Sequence, residues 1–331
     1  MKLSICIPHY KEETSVVRDL LDSIQMQQNV DFNEIEAIIM NDGGDFAQVS
    51  KIKKKDYSFK LKIVETEHAG LSATRNKALD RATGEYVTFC DVDDMFYTVN
   101  ALNLIFQIIE RKPFQMLISS FIEELHLPDG KIAYYQHPID VTFVHGKFYN
   151  RQFLIDNDIK FDPAVGRHQD SPFARLALMV CDKSKLVEVK VPFYLWRWFD
   201  TSLCRRDKEL SVVNSEWSYI DGVNSSVNEL LKRDMIKEAS FTVAHLLYKL
   251  YFLLNSAQFL DPKNEEYRIK TEVRFKQFYD KFIYLFDNVP QDARNKLIRQ
   301  YKEDAAKRYG VVLERFTFDN WIKHIESIKT D

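Results

Sequence analysis

Residues 1–121 repeat one pattern: a short apolar run, a polar cluster, then apolar positions at helical spacing. The runs at 3–7, 36–40, 61–64, 85–90 and 116–121 suit strands. Between them Val17, Leu20, Leu21 and Ile24 recur every three to four residues, and 72–82 and 102–109 also suit helices. Strands that alternate with helices build a mostly parallel sheet, because right-handed crossovers cover both of its faces. In such sheets ligands bind beyond the carboxyl ends of the strands. The polar clusters fall there: Pro8-His9-Tyr10, Asn41-Asp42-Gly43-Gly44 and Asp91-Val92-Asp93-Asp94. Their placement predicts one shared site.

The pattern changes after about residue 208. Trp217, Ile220, Val227 and Leu231 fit one helix, 241–254 fits a buried one, and Phe275, Phe278, Phe282 and Leu285 fit another. A last helix is expected at 321–328. The chain therefore divides into an α/β domain, residues 1–208, and a helical module, residues 209–331. Large apolar side chains of that module, including Trp217, Tyr248, Phe252 and Trp321, imply burial against the first domain or against a second copy of the chain. A net charge of -3 gives no chain-wide positive field for nucleic acid. Cys6, Cys90, Cys181 and Cys204 form no C-x-x-C pair and read as reduced, small core residues. No leader-like segment opens the sequence, and the most apolar stretch, 241–260, is interrupted by His245, Lys249 and Asn255. A cytoplasmic protein is expected, with peripheral attachment to a membrane left open.

Asp91-Val92-Asp93-Asp94 carries the strongest chemical signal. Alternation along an extended chain puts Asp91 and Asp93 on one side. Clustered carboxylates repel unless a cation neutralises them. Mg²⁺ and Mn²⁺ suit such a group, since they take a few carboxylates and keep positions for phosphate oxygens. The plain alternative is an acidic turn in which Asp94 caps the next helix.

Four stretches give this reading a family. Ser4-Ile5-Cys6-Ile7-Pro8-His9-Tyr10, Asn41-Asp42-Gly43-Gly44-Asp45, Gly70-Leu71-Ser72-Ala73-Thr74-Arg75-Asn76 and Gly84-Glu85-Tyr86-Val87-Thr88-Phe89-Cys90-Asp91-Val92-Asp93-Asp94 stand in the order and spacing of the family 2 glycosyltransferases. The chain resembles that family over about its first third. The resemblance implies the GT-A fold, a nucleotide-sugar donor and an inverting, metal-dependent transfer. It implies that Pro8, Tyr10 and Glu12 or Glu13 shape the nucleotide site. Asp42 would accept from the base, usually uracil, and Arg75 and Asn76 would support the donor pocket. Asp91 would lie near ribose and metal, and Asp93 would bind the Mn²⁺ or Mg²⁺ directly. Asn41 stands where the family has Asp, Gly44 where it has Ser, and His9 and Lys11 where Thr and Asn are commoner.

Further along, His145-Gly146-Lys147-Phe148-Tyr149 resembles the family's h-G-K-x-Y segment, and Gln169-Asp170 its E-D pair. By that likeness Asp170 is the catalytic base, with Gln169 replacing Glu. A base must take the proton from an acceptor hydroxyl as it attacks the anomeric carbon. Without the likeness Asp170, followed by Ser171 and Pro172, reads as a helix N-cap. Phe193-Tyr194-Leu195-Trp196-Arg197 resembles a later family stretch. Arg197 could reach donor diphosphate or acceptor, or pack between Trp196 and Trp198. Lys147 could touch phosphate or be solvated. His68, His145 and His168 are each candidate extra metal ligands, against the commoner reading of a lone histidine as a satisfied structural residue. Arg205, Arg206 and Lys208 read as a solvated face that could meet an anionic acceptor.

The acceptor stays open between a surface glycan or polymer and a modified base in nucleic acid, for which Trp196, Trp198 and Arg205 are compatible. A nucleotidyltransferase would want a Gly-rich phosphate loop after the first strand, and 8–13 is not one. A glycan-binding module without catalysis would not need Asp93 and Asp170. A homo-oligomer through the helical module is a further expectation.

Overall fold

A computed structural model describes residues 1–200, 202, 213, 215–309 and 316–330, with the backbone alone at 308 and 309. Cys204, Arg205, Arg206 and Lys208 lie outside the described residues. Contacts divide the chain into two units, Met1–Leu203 and Cys204–Asp331.

The first unit holds strands β1 (Leu3–His9), β2 (Ile35–Asp42), β3 (Lys60–Thr66), β4 (Tyr86–Phe89), β5 (Met95–Phe96), β6 (Met116–His126), β7 (Ile132–His137), β8 (Lys147–Asn150) and β9 (Leu186–Trp196). Its helices are α1 (Thr14–Gln25), α2 (Phe46–Ser50), α3 (Leu71–Arg81), α4 (Ala101–Arg111), α5 (Arg151–Asp156) and α6 (Asp170–Val180). The described strands form one sheet in the order β3-β2-β1-β4-β8-β6-β9-β5, with β7 paired to β6. β3, β2, β1 and β4 run parallel, β8 runs against its neighbours β4 and β6, and β9 is again parallel to β6. This is the GT-A arrangement, a mostly parallel sheet followed by a helical region.

Every residue of β1 and β2 is buried, which explains their near-continuous apolar sequence: helices cover both faces. α1 presents Val17, Leu20, Leu21 and Ile24 to the sheet, and α4 presents Leu102, Ile105, Phe106 and Ile109. The expected strands and helices of residues 1–121 are all present, with ends moved by at most five residues. β7, β8 and β9 have no counterpart in the sequence reading. β9 carries Lys190 and Pro192 on an interrupted register with β6, with shifts at Ser119–Phe121. That irregularity hides its period.

The second unit consists of α7 (Glu216–Lys232), α8 (Ile236–Leu254), α9 (Ala257–Leu260), α10 (Glu265–Phe282), α11 (Gln291–Tyr309) and α12 (Phe318–Ser327). Its aromatic residues build a core of their own. Trp321 is 1% exposed, stacked on Phe275 at 5.4 Å and tilted against Tyr251 at 5.5 Å. Tyr248 packs with Val289 and Leu297, and Lys270 sits over the half-buried Trp217 ring. Among the described residues no helix is long and apolar enough to cross a membrane.

Candidate active site

The ends of β1 and β2 form one polar corner. His9 is buried; its Nδ1 lies 2.8 Å from Asn41 Oδ1 and its Nε2 lies 2.9 Å from the Glu12 carbonyl. Gly44 lies so close to Tyr10 that a Cβ would meet the Tyr10 carbonyl oxygen at 1.2 Å. Serine cannot stand there. Three of the departures from the family pattern, His9, Asn41 and Gly44, are thus one locally consistent packing arrangement rather than independent losses. Glu12 accepts from the amides of Tyr10 (2.9 Å) and Lys11 (3.2 Å), which fixes the turn after β1. Pro8 lies inside β1, opposite Met40. Tyr10 is 37% exposed and stacks on His68 at 4.8 Å.

Asp42 is buried and holds the approach to α3. Its two oxygens accept from the amides of Ala69 (2.8 Å) and Gly70 (2.9 Å), and His68 Nδ1 lies 3.0 Å away. Asn76 clamps another backbone segment: its amide donates to the Phe161 carbonyl at 2.8 Å and accepts from the Phe161 N–H at 3.0 Å.

The centre lies at the end of β4. Arg75, on α3, is 1% exposed and bridges two carboxylates, donating through Nη1 to Asp170 at 2.5 Å and through Nη2 to Asp91 at 2.6 Å. Its guanidinium lies over the Phe161 ring at 5.3 Å, and Phe161 stacks on Phe173 at 3.9 Å. This apolar floor raises the strength of the ion pairs and the cost of losing one. Burial opposes charge on Arg75, but Asp170 and Asp91 hold it protonated. Burial likewise opposes charge on Asp91, and the guanidinium keeps its carboxyl below the usual range. Asp170 is the first residue of α6, not its cap; its second oxygen accepts from the Val144 N–H at 3.2 Å. The N-cap alternative for Asp170 is therefore absent.

Asp94 is buried and structural. The Tyr194 hydroxyl donates to it at 2.5 Å and the Arg197 N–H at 2.9 Å, while the same hydroxyl accepts from the Asp91 N–H at 3.2 Å. Burial, with Asp93 and Asp91 adjacent, pushes the Asp94 carboxyl well up. This anchors the acidic loop to β9. It does not cap a following helix, as the plain reading of the motif expected. Arg197 contributes that backbone contact, and its guanidinium turns to Asp19 at 3.0 Å.

Two residues of the His145-Gly146-Lys147 turn differ from expectation. Gly146 has φ +64°, and a Cβ there would meet Ser119 Oγ at 2.3 Å, so the turn is pressed onto β6. That pins its neighbours inward. Lys147 is fully buried rather than solvated, with its ammonium 3.4 Å from the His145 carbonyl; burial lowers its pKa to about 8 against the pull of Asp140 and Asp170. His145 is 3% exposed and stacked on Tyr194 at 4.6 Å, and its Nδ1 finds no hydrogen-bond partner among the described residues. Burial takes its pKa down to about 3, which leaves the ring neutral with a lone pair. One ligand atom each from Asp91, Asp94 and His145 lie within 4.8 Å of one another. An orphaned neutral imidazole beside a carboxylate fits a divalent cation. Asp93, half-buried on the same loop, is not in that group.

Residues 4–167 match the model of glycosyl transferase family 2. GlyA, a glycosyltransferase of Streptococcus pneumoniae, is 37% identical over 94 residues, 28% of this chain and 13% of that protein. TarS of Staphylococcus aureus, a poly(ribitol-phosphate) beta-N-acetylglucosaminyltransferase, is 26% identical over 211 residues, 59% of this chain and 35% of that protein. The chain thus spans only a minor part of the length of either relative. Residues 1–349 of TarS, solved with UDP-GlcNAc, superpose with a TM-score of 0.68 at 19% identity, covering 94% of this chain and 90% of that one. A mannosyltransferase of Pyrobaculum calidifontis, solved with GDP-Man and Mn²⁺, superposes with a TM-score of 0.51 at 14% identity, covering 93% and 86%. The fold and the matched residues define a GT-A glycosyltransferase domain. The chain belongs to glycosyl transferase family 2.

Proposed function

We propose that this protein transfers a sugar from a UDP-sugar to an acceptor hydroxyl, with inversion at the anomeric carbon. The catalytic domain is taken as residues 1–208 and the helical module as 209–331. One observation carries the reading: a buried Arg75 sets Asp91, at the strand end, and Asp170, at the start of α6, on either side of one guanidinium. Direct displacement needs a carboxylate across the reacting carbon from the leaving diphosphate, and this bridge holds two carboxylates apart and oriented. Tyr10 and Asp42 favour a uracil nucleotide by their match to the family. The UDP-GlcNAc and UDP complexes of TarS support the same donor class. The acceptor is a surface glycan or polymer, the class named for TarS.

By their match to the family motif Asp91 and Asp93 would hold one Mn²⁺ or Mg²⁺, and His145, grouped with Asp91 and Asp94, would complete the site. When bound, the cation offsets charge on the leaving diphosphate. Asp170 takes the acceptor proton at its carboxylate. Arg75 and the Val144 N–H fix where the Asp170 carboxylate points until the acceptor hydroxyl arrives. The experiment is donor hydrolysis and transfer from a panel of UDP-, GDP- and CDP-sugars with Mn²⁺. A UDP-sugar should be preferred, and turnover should vanish with excess chelator or in Asp93→Ala. Full turnover in chelator, or preference for a guanine nucleotide, removes the reading.

A further inference from the structure

β6 and β7 form a hairpin that projects past the carboxyl ends of the neighbouring strands, beside the site. It carries four exposed large apolar side chains, Leu127, Ile132, Tyr134 and Tyr135. A solvated hairpin has no folding reason to keep that many. The register explains where one face leads. Tyr135 stands opposite Glu123 on β6, and Glu123 stands opposite Trp196 on β9. The three lie in one row across three strands, on one face, because side chains alternate. The next row in is His137, Phe121 and Tyr194. His137 stacks on Phe121 at 4.3 Å and meets Tyr135 edge-on at 4.8 Å. Phe143 then meets Trp196 at 5.2 Å and stacks on His145 at 5.3 Å. An unbroken run of rings therefore descends from solvent at Tyr135 to the imidazole beside Asp91.

We infer that this wall binds a neutral sugar of the acceptor, in an oligosaccharide segment that leads to the reactive hydroxyl. The inference rests on the glycosyltransferase reading above. Ring faces carry negative charge density, and the C–H bonds on one side of a pyranose present positive hydrogens to them. Exposed and half-exposed rings such as Tyr135 and Phe143 offer such faces without being freed from the core. Glu123, in the middle of the row, accepts from His137 Nε2 at 2.7 Å. The negative charge density of the same ring faces disfavours a phosphodiester chain lying along the row, which decides between a neutral glycan and a polyanion.

The test uses the full chain with UDP and Mg²⁺ present and two matched variants. Tyr135→Ala alters the row; Tyr134→Ala alters a comparably exposed tyrosine of the opposite face. Ligand-observed NMR would measure binding of maltotetraose, cellotetraose and chitotetraose, with poly(ribitol phosphate) as the anionic rival, and calorimetry would measure UDP. At least one neutral tetrasaccharide should bind, and Tyr135→Ala should weaken it about three- to tenfold, the size of one aromatic contact. Tyr134→Ala should leave it unchanged. Binding of the phosphate polymer alone, no saccharide binding, or equal loss in both variants overturns the inference. Failure to bind UDP would instead count against the donor reading, so the two failures are separable.

Discussion

At the ends of β1 and β2 the side chains spend their polar atoms on backbone and on one another. His9 meets Asn41 and a carbonyl, Glu12 takes two amides, and Asp42 takes two more. At the end of β4, one strand away from β1, a buried guanidinium is paired with two half-buried carboxylates: Arg75 with Asp91 and Asp170, over phenylalanine rings, beside an imidazole whose Nδ1 has no hydrogen-bond partner among the described residues. The rim is satisfied within itself, so its residue types can change together. The centre is satisfied only as a charged set, so removing one member strands the others. The departures His9, Asn41 and Gly44 fall together in the rim, while Arg75, Asp91 and Asp93 keep the family's types and Gln169, beside Asp170, is the departure next to the centre.

The largest expected effect breaks the centre. Arg75→Met leaves two half-buried carboxylates facing each other and should cost about 3 kcal/mol of stability, the low end for breaking a buried pair. Adding Asp91→Asn and Asp170→Asn removes the stranded charges and should recover much of that loss in thermal melts. A triple variant no more stable than Arg75→Met would show that packing of the guanidinium, not charge, is what the centre needs.

A buried charge outside the site calibrates this. Glu36, at the other end of the same strands, accepts from Ser4 Oγ (2.7 Å), from the Thr83 N–H (2.6 Å) and hydroxyl (2.8 Å), and pairs with Lys62 (2.7 Å). Burial opposes its charge, but these partners win and lower its pKa from 4.5 to about 2. A depressed carboxyl stabilises the fold above its unfolded pKa, so the benefit is complete above about pH 4.5 and is lost as pH falls toward 2. The difference corresponds to about 3 kcal/mol. Unfolding measured from pH 6 to 2 should show this acid limb in the parent and a flatter one in Glu36→Gln; identical limbs would contradict it.

Next in size is the base. Asp170→Asn keeps the shape at the start of α6 but can no longer accept a proton. Transfer should fall by about a hundredfold or more, with UDP affinity nearly unchanged and the product anomer opposite to the donor's by NMR. Near-normal turnover would place the base elsewhere.

Much of this was legible in the sequence, for identifiable reasons. β1, β2 and β4 are buried on both faces and stopped by polar punctuation, so both their runs and their ends stand out. Asp91 and Asp170 were visible by their motifs. Lys147 and His145 were not assigned, because nothing local says that a lysine or histidine points inward. The close packing of Gly146 on Ser119 decides it, and that contact joins residues far apart in the chain. β9 was hidden by Pro192 and by the shifted register with β6. The roles of Asn76 and Arg197 depend on contacts with Phe161 and Asp19 that no spacing encodes.

The smallest expected effect tests the rim. If His9 and Asn41 are one exchange, returning both to the family's types should cost less than the two single changes predict. His9→Thr alone removes both ring contacts and leaves Asn41 facing a gap. Asn41→Asp alone puts a carboxylate against a ring whose other nitrogen already faces the Glu12 carbonyl. The four proteins of the cycle should therefore show a coupling of about 1 kcal/mol by thermal unfolding. Additivity would mean that the two residues sit side by side without depending on each other, and the rim would lose its claim to be a unit.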